Sequence, residues 1–344
     1  MARERCAAFA PGRVNLIGEH TDYNDGLSLP FAIEQGVTVR ATRLDGDEVH
    51  AIASDLDAED RFDRRHVSRA DGWGAFVRGA VAELRAAGHD VPGARLEIAG
   101  TVPQGSGLSS SAALEVALCL ALLGLAGEEG ADRIALARLC SRVESDWVGA
   151  HTGLLDQLAS LLGEAGHATR LDFRVLDARH VPLEPGRWRL VVVDSGQARD
   201  HAGSGYNERR RECGEAAERL GLTSLRDATV EAAAEIPSPF ERRVRHVVEE
   251  NARVDATVQA LEEGDFEEVG RLLDASHASL RDLFEASTPA VEGTVRRLRE
   301  GGAAGARMVG GGFGGHVLAL MAPGVAAPGD AVEVAPGPGA RLLA

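Results

Sequence analysis

The stretch that decides the fold reads TVPQGSGLSSSAA and occupies residues 101–113. Before it, residues 94–99 alternate apolar and polar side chains, which is the two-residue period of a half-buried strand. After it, residues 112–125 are almost wholly Ala, Leu and Val, which predicts a long buried helix. The sequence therefore predicts a strand, then a loop rich in glycine and serine, then a helix that begins in that loop.

This predicted arrangement is typical of an anion site. Free backbone N–H groups and the positive end of the helix dipole converge where a helix begins. Glycines let the backbone approach a ligand closely, and serine hydroxyls can donate to phosphate or bind a metal. A serine that merely caps a core helix is the alternative. A cap needs one such residue, so two glycines followed by serines at 109, 110 and 111 favour phosphate binding.

Composition limits the chemistry. The chain has 344 residues, a net charge of −16 and no lysine, so all 37 basic residues are arginines. This excludes the GK[ST] phosphate loop, a lysine Schiff base and a lysine general base. The negative net charge opposes nonspecific binding to nucleic acid or to anionic membranes. The positive charge that neutralises the phosphates of a bound nucleotide must come from Mg²⁺ and arginine. The four scattered cysteines, with no CxxC pair, indicate a reducing cytosol.

Strands and helices are mixed without a regular βαβα alternation, which predicts an α+β fold. The predicted boundary lies near residues 185–186 and divides the chain into domains 1–185 and 186–344. Near the start, residues 4–10 and 13–17 are predicted as two short strands separated by a Pro-Gly turn. Near the end, the glycine run at residues 310–315 is too dense for a hairpin turn. The backbone there must pass close to another segment or to a ligand.

Three polar features are candidates for function. Glu19, His20, Thr21 and Asp22 place two carboxylates, an imidazole and a hydroxyl in four consecutive positions. A solvated turn would explain any two of them, whereas all four together suit the hydroxyl groups of a sugar. Asp156 stands alone among leucines, and a buried carboxylate needs a partner or a function.

Glu144 is the third candidate. Its neighbours Arg142 and Asp146 make a solvated helix face the simple interpretation. One acid near a phosphate loop can nevertheless complete a Mg²⁺ site, because that ion takes one or two carboxylates together with phosphate oxygens and water.

These residues together resemble the GHMP sugar-kinase family and, within it, the galactokinases. Residues 10–24 (APGRVNLIGEHTDYN) are similar to the galactokinase signature, residues 105–112 to the phosphate loop of the family, and residues 308–315 to its third motif. The resemblance spans nearly the whole chain. It implies a two-domain GHMP-kinase fold with an N-terminal ribosomal-protein-S5-like domain, a C-terminal ferredoxin-like domain and an active site in the cleft between them.

The same resemblance implies a role for each candidate residue. Asp156 would be the catalytic carboxylate that faces the anomeric hydroxyl of the sugar, and Arg13 would stabilise charge on the transferring phosphoryl group. The sugar hydroxyls would be held by Glu19, His20, Thr21, Asp22 and Tyr206. The ATP phosphates would be held by Gly105, Ser106, Gly107, Leu108, Ser109, Ser110 and Ser111. Mg²⁺ would be held by Ser111 and Glu144.

The implied activity is transfer of the ATP γ-phosphate to the C1 hydroxyl of galactose, by a cytoplasmic monomer or weak oligomer. A kinase for another aldose, such as N-acetylgalactosamine or arabinose, remains open, because the sequence does not give the room around a 2-substituent. A catalytically silent sugar sensor on the same fold is the other alternative. Such relatives lose residues of the phosphate loop, whereas residues 109–113, Asp156 and Arg13 are all present here.

Overall fold

The computed structural model describes residues 3–102, 107–150, 153–198 and 204–343. The strands, in chain order, are β1 (Arg5–Asn15), β2 (Leu27–Ser28), β3 (Pro30–Arg43), β4 (Glu48–Ala53), β5 (Ala58–Asp63), β6 (Ala94–Gly100), β7 (His167–Asp172), β8 (Asp177–Pro182), β9 (Arg189–Asp194), β10 (Ala303–Met308), β11 (His316–Met321), β12 (Val332–Val334) and β13 (Arg341–Leu343).

The α-helices follow the strands in a mixed order. They are α1 (Trp73–Ala86), α2 (Ser110–Ala126), α3 (Arg133–Arg142), α4 (Leu155–Leu162), α5 (Ser204–Arg219), α6 (Val230–Ala233), α7 (Phe240–Glu263), α8 (Phe266–Asp282) and α9 (Pro289–Glu300). A π-helical segment, Val143–Val148, continues α3. Within these ranges no helix is both long enough and apolar enough to cross a membrane.

Six strands form the first sheet, in the order β13-β1-β3-β6-β4-β5. β4 and β6 run parallel, and the other neighbours run antiparallel. α2 packs across β1 and β3 and also contacts α1, α3 and α4. Because partners surround α2, apolar residues cover nearly its whole circumference, in agreement with the predicted buried helix. The predicted strand before it is confirmed as β6.

The prediction of two short strands at the N-terminus is wrong, because β1 continues through the Pro-Gly pair. Its register against β3 shifts between Pro11 and Arg13, which is a β-bulge. Proline has no N–H to donate, so it fits where the ladder is already interrupted. A Cβ on Gly12 would lie 2.5 Å from the carbonyl oxygen of Leu108. The absence of a side chain at Gly12 therefore lets β1 pass directly under the loop that opens α2.

The second half contains the four-stranded antiparallel sheet β10-β11-β9-β12. α8 and α9 pack on β10, and α5 and α6 pack on α7. The small sheet β2-β7-β8 joins the two halves, because β2 and β8 contact α7. The chain then returns, and β13 pairs with β1 in the first sheet. The boundary near residues 185–186 stays a prediction, with this last strand placed in the N-terminal sheet.

Candidate active site

The loop that opens α2 is held against β1. Gly107 (φ 72°) and Ser109 (φ 60°) have left-handed backbone conformations. Arg13 donates from its backbone N–H to the Leu108 carbonyl at 3.0 Å and from Nη1 to the Gly107 carbonyl at 2.6 Å. Ser109 is the N-cap residue but forms no side-chain capping bond, so it leaves the first-turn N–H groups of α2 to a ligand. Two residues of the predicted loop, Gly105 and Ser106, lie outside the described residues.

Asp156 lies in the first turn of α4, and both of its carboxylate oxygens have partners. Oδ1 is 2.7 Å from Arg13 Nη2, and Oδ2 accepts a hydrogen bond from Ser109 Oγ. The Arg13 side chain is only 6% exposed, whereas that of Asp156 is 24% exposed. A buried cation and a loop serine therefore fix the orientation of a carboxylate that still faces solvent.

Glu144 contacts the first turn of α2. Its Oε1 accepts a hydrogen bond from Ser111 Oγ at 3.2 Å, and its Oε2 accepts one from Gln157 Nε2 at 3.0 Å. The described residues contain no cluster of three or more His, Cys, Asp or Glu that could hold a metal. One carboxylate beside one hydroxyl is nevertheless a suitable donor set for Mg²⁺ that also binds phosphate oxygens and water.

Glu115 and Gln157 were not anticipated from the sequence. Gln157 Nε2 also donates to Glu115 Oε2 at 3.2 Å, so one amide bridges two carboxylates. Burial, with the nearby charge of Glu144, raises the pKa of Glu115 well above its usual value. The available signal was the single acid within the apolar run of α2, one helical turn after Ser111.

Glu19 and His20 project from the turn between β1 and β2 toward the glycine run. Glu19 Oε1 accepts a hydrogen bond from the Gly310 N–H at 2.6 Å. His20 has a left-handed backbone (φ 61°), and its Nε2 lies 3.2 Å from the Gly311 carbonyl oxygen. The structure thus brings the first and third sequence motifs together.

Thr21 faces inward in the same turn. Its hydroxyl lies 3.0 Å from the Gly18 carbonyl oxygen and 2.7 Å from that of Leu27 and shares its one proton between them, and the residue is fully buried. These contacts close the turn on itself.

Asp22 and Tyr206 lie near Asp156 and His20. Burial and the charge of Asp156 raise the pKa of Asp22 to about 6. The Tyr206 ring lies 5.3 Å from that of His20, and burial with the charge of Asp22 keeps the tyrosine pKa well above 10. Tyr206 therefore keeps a neutral hydroxyl that can donate or accept.

A cavity of about 480 Å³ opens beside Asp22. Asp22 and Tyr23 line the cavity, together with three arginines: Arg138, Arg142 and Arg210. Arg210 opposes the rise in the pKa of Asp22. The acidic turn therefore faces a basic wall across this cavity.

The glycine run passes close to other segments, as its density predicted. A Cβ on Gly311 would lie 2.7 Å from Tyr206 Cδ2, and one on Gly312 would lie 2.5 Å from the Ala286 carbonyl oxygen. Gly312 also has a φ of 80°. A larger residue at Gly311 would displace Tyr206, and one at Gly312 would displace the backbone at Ala286.

Family models and solved structures agree on the class of protein. The model for the GHMP kinases N terminal domain matches residues 75–164, and that for GHMP kinases C terminal matches residues 257–334. A mevalonate kinase structure has a TM-score of 0.68 at 19% identity, which supports the fold. The two domain models and the fold define an ATP-dependent kinase of the GHMP class.

More specific comparisons identify the family. The model for the galactokinase galactose-binding signature matches residues 2–43. A galactokinase of Streptomyces coelicolor is 45% identical over 342 residues, covering 94% of this chain and 87% of that protein. A galactokinase of Roseiflexus sp. is 44% identical, covering 91% and 82%. The chain belongs to the galactokinase family.

A solved structure supports the same assignment across the whole chain. The Lactococcus lactis galactokinase complexed with galactose superposes with a TM-score of 0.91 at 32% identity, covering 99% of this chain and 95% of that one. The predicted α+β GHMP-kinase fold and the predicted family are confirmed.

Proposed function

We propose that this protein transfers the γ-phosphoryl group of ATP to the C1 hydroxyl of α-D-galactose, giving galactose 1-phosphate and ADP. Family membership supports the reaction. The observation that carries the site assignment is the Asp156 carboxylate, which Arg13 and Ser109 hold beside the loop that opens α2. The intact loop and this carboxylate favour catalysis over a silent sugar sensor.

Each part of the site has one task in the transfer. Asp156 accepts a hydrogen bond from the C1 hydroxyl and directs its oxygen toward the γ-phosphorus. Arg13 stabilises the charge on the transferring group, and the loop residues with the first-turn N–H groups of α2 bind the phosphates. Ser111 and Glu144 would hold Mg²⁺, which neutralises phosphate charge when bound. Positioning and electrostatics supply most of the catalysis in phosphoryl transfer.

Glu19, His20, Asp22 and Tyr206 would recognise the sugar. Carboxylates accept hydrogen bonds from sugar hydroxyls, and the neutral Tyr206 hydroxyl can complete such a network. Thr21 would contribute by closing the turn that carries these residues, since its hydroxyl already bonds to two carbonyl groups. We place the reaction in the cytosol, where ATP is available, and expect a monomer or weak oligomer that binds neither nucleic acid nor membranes.

An ADP-release assay with Mg²⁺-ATP and a panel of aldoses tests this function. The panel contains galactose, N-acetylgalactosamine, arabinose and glucose, and we expect the highest kcat/KM with galactose. A much higher value for another aldose would replace the substrate. Tight galactose binding without turnover of any sugar would identify a sensor instead of an enzyme.

A further inference from the structure

The carboxylate of Glu19 is held on one side. Its Oε1 accepts the Gly310 N–H at 2.6 Å and lies 3.3 Å from Arg307 Nη2. Over the described ranges, its Oε2 has no hydrogen-bond donor. Oε1 of this carboxylate is therefore anchored, whereas no donor among the described residues holds Oε2.

Arg307 lies on β10, and its side chain is 0% exposed. Its Nη1 donates to the carbonyl groups of Asn15 and Leu16, both at 2.9 Å. In the part of the chain that the structure describes, Glu19 is the only carboxylate within 4 Å of this guanidinium. A buried guanidinium is costly without a counterion, and the Glu19 carboxylate is placed to compensate the charge of Arg307.

The backbone of Glu19 is held separately. His246 Nε2 lies 3.1 Å from the Glu19 carbonyl oxygen, and the Gly18 N–H donates to Glu250 Oε1 at 3.0 Å. The turn therefore has anchors that do not involve Arg307. A change at Arg307 removes the ion pair with Glu19 and the hydrogen bonds to Asn15 and Leu16, and it leaves these two anchors in place.

We propose that Arg307 is a positioning residue for sugar recognition: with the Gly310 N–H it fixes Glu19 Oε1, so that Oε2 is presented to a sugar hydroxyl. This inference rests on the proposed function, which makes Glu19 a sugar-binding residue. A purely structural Arg307, which only ties β10 to the end of β1, is the competing explanation. The two differ in one respect, because positioning requires a selective loss of sugar affinity.

The experiment compares Arg307→Met and Arg307→Lys with a matched control, Arg243→Met. Arg243 is a second buried arginine of the same half, 1% exposed, and it pairs with Glu212 and Glu285. Calorimetric titration gives the Kd for sugar and for ADP in each folded variant. The sugar used is the aldose with the highest kcat/KM in the panel.

We expect the sugar Kd to rise about tenfold in Arg307→Met and about threefold in Arg307→Lys, with the ADP Kd unchanged. We expect Arg243→Met to lower Tm and leave the sugar Kd unchanged. In a Glu19→Gln background, Arg307→Met should weaken sugar binding little further, because its target is already altered.

An unchanged sugar Kd in both Arg307 variants would overturn the proposal, as would an equal loss in Arg243→Met. If Arg307→Met does not fold, an unchanged sugar Kd in Arg307→Lys is sufficient to reject it. A best substrate other than galactose would reject the proposed substrate and leave this inference standing. Tight galactose binding without turnover of any aldose would reject the proposed catalysis and leave this inference standing; the titrations would then use galactose, because they measure binding and not turnover.

Discussion

At the scale of single residues, Asp156 illustrates how neighbours define a carboxylate. Arg13 forms an ion pair with one carboxylate oxygen, and the Ser109 hydroxyl donates a hydrogen bond to the other. Both partners are far from Asp156 in the sequence. This fixes the direction of the group without removing it from solvent. A carboxylate fixed in this way can receive a hydroxyl without reorganising, which is the usual basis of electrostatic catalysis.

We predict that Asp156→Asn lowers kcat by about a thousandfold or more, because the amide cannot accept the same charge-assisted hydrogen bond or a proton. The variant should stay folded with a lowered Tm, because Arg13 loses its counterion, and it should still bind sugar through the other contacts. Steady-state kinetics with a thermal melt will measure both. Asp177→Asn, at an exposed acid of β8, is the control and should behave as the parent does. A near-normal kcat in Asp156→Asn would remove Asp156 from the catalytic role.

We predict that galactose affinity falls below about pH 6, where Asp22 gains a proton. The protonated carboxyl group is a poorer acceptor, so the Kd should rise by about tenfold between pH 8 and pH 5. Asp22→Asn should bind weakly at all these pH values, without that dependence. Asp45→Asn, in an exposed loop, should retain it. Calorimetry at four pH values tests this, and a flat parent profile would contradict it.

At the scale of elements, hydrogen bonds between side chains connect α2, the π-helical segment and α4. Ser111 of α2 contacts Glu144 of the segment, and Gln157 of α4 bridges Glu144 to Glu115. The segment continues α3 with a wider turn, and such segments are frequent at functional sites. Three helices therefore converge on the proposed metal position.

We predict that Glu144→Ala raises the Mg²⁺ concentration for half-maximal activity by about tenfold, since one charged donor is lost. The Kd for Mg²⁺-ADP should rise similarly, whereas the Kd for metal-free ADP should not. The control is Asp146→Ala, an exposed acid two residues away in the same segment. Unchanged metal dependence in Glu144→Ala would exclude Glu144 from the metal site.

We predict that Glu115→Gln stabilises the protein increasingly as pH rises. The raised pKa means that the folded state binds a proton more tightly than the unfolded state, so the parent loses stability as pH rises above the unfolded value near 4.5. Glutamine removes that loss and preserves the side-chain volume. Thermal melts at pH 5 and pH 8 should show the larger gain in Tm at pH 8. A larger gain at pH 5 would contradict the raised pKa.

At the scale of the whole molecule, the C-terminal half holds the sugar-binding turn of the N-terminal half. Glu250 of α7 accepts the Gly18 N–H at 3.0 Å, and Asn251 accepts the Leu27 N–H at 2.8 Å. Arg307 and Gly310 reach Glu19 from β10 and the glycine run. The proposed sugar site is therefore assembled only when the two halves are in contact.

We predict that Glu250→Gln destabilises the fold by about 3 kcal/mol at pH 7. Burial alone would raise the pKa of Glu250, but Arg253 and His246 outweigh it and lower the pKa to about 2. A lowered carboxyl pKa gives stability that is present above about pH 4.5 and is lost as pH falls toward 2. The deficit of the variant should therefore shrink at pH 3.

Urea denaturation at the two pH values measures that difference. Glu262→Gln, an exposed acid of α7 that pairs with Arg179, is the control and should cost less than about 1 kcal/mol. An equal deficit for Glu250→Gln at both pH values would show that the loss is not electrostatic.

Much of this architecture follows from local sequence. The alternation before residue 100 and the apolar run after residue 111 predict β6 and α2, because hydrophobic periodicity reflects which side of an element faces the core. The lone acid Asp156 and the glycine run are also visible locally. The chemical types of these residues restrict the reactions and ligands that they can serve. The resemblance to a family therefore rests on residues that are visible in the sequence alone. Their roles in binding and catalysis stay predictions.

Local sequence failed where a distant segment decides the outcome. The Pro-Gly pair after Ala10 was predicted as a turn, yet β3 pairs with β1 on both sides of it. The register shifts at this pair, so the ladder is already interrupted where proline has no N–H to donate. Glu115 and Gln157 could not be recognised as part of the site from the sequence, because only helix packing places them in one hydrogen-bond network with Glu144.

The sequence by itself determined the fold class, the family and the residue types able to bind phosphate, metal and sugar. Only the tertiary structure decided that Oε1 of Glu19 is anchored and that Arg307 forms the ion pair with it. It also decided that the Gln157 amide bridges Glu115 to Glu144. The physical reason is that hydrophobic periodicity and turn chemistry act between neighbours in sequence. Buried charges, in contrast, must find partners in space, and sheet and helix packing brings Arg307 to the end of β1 across 292 residues.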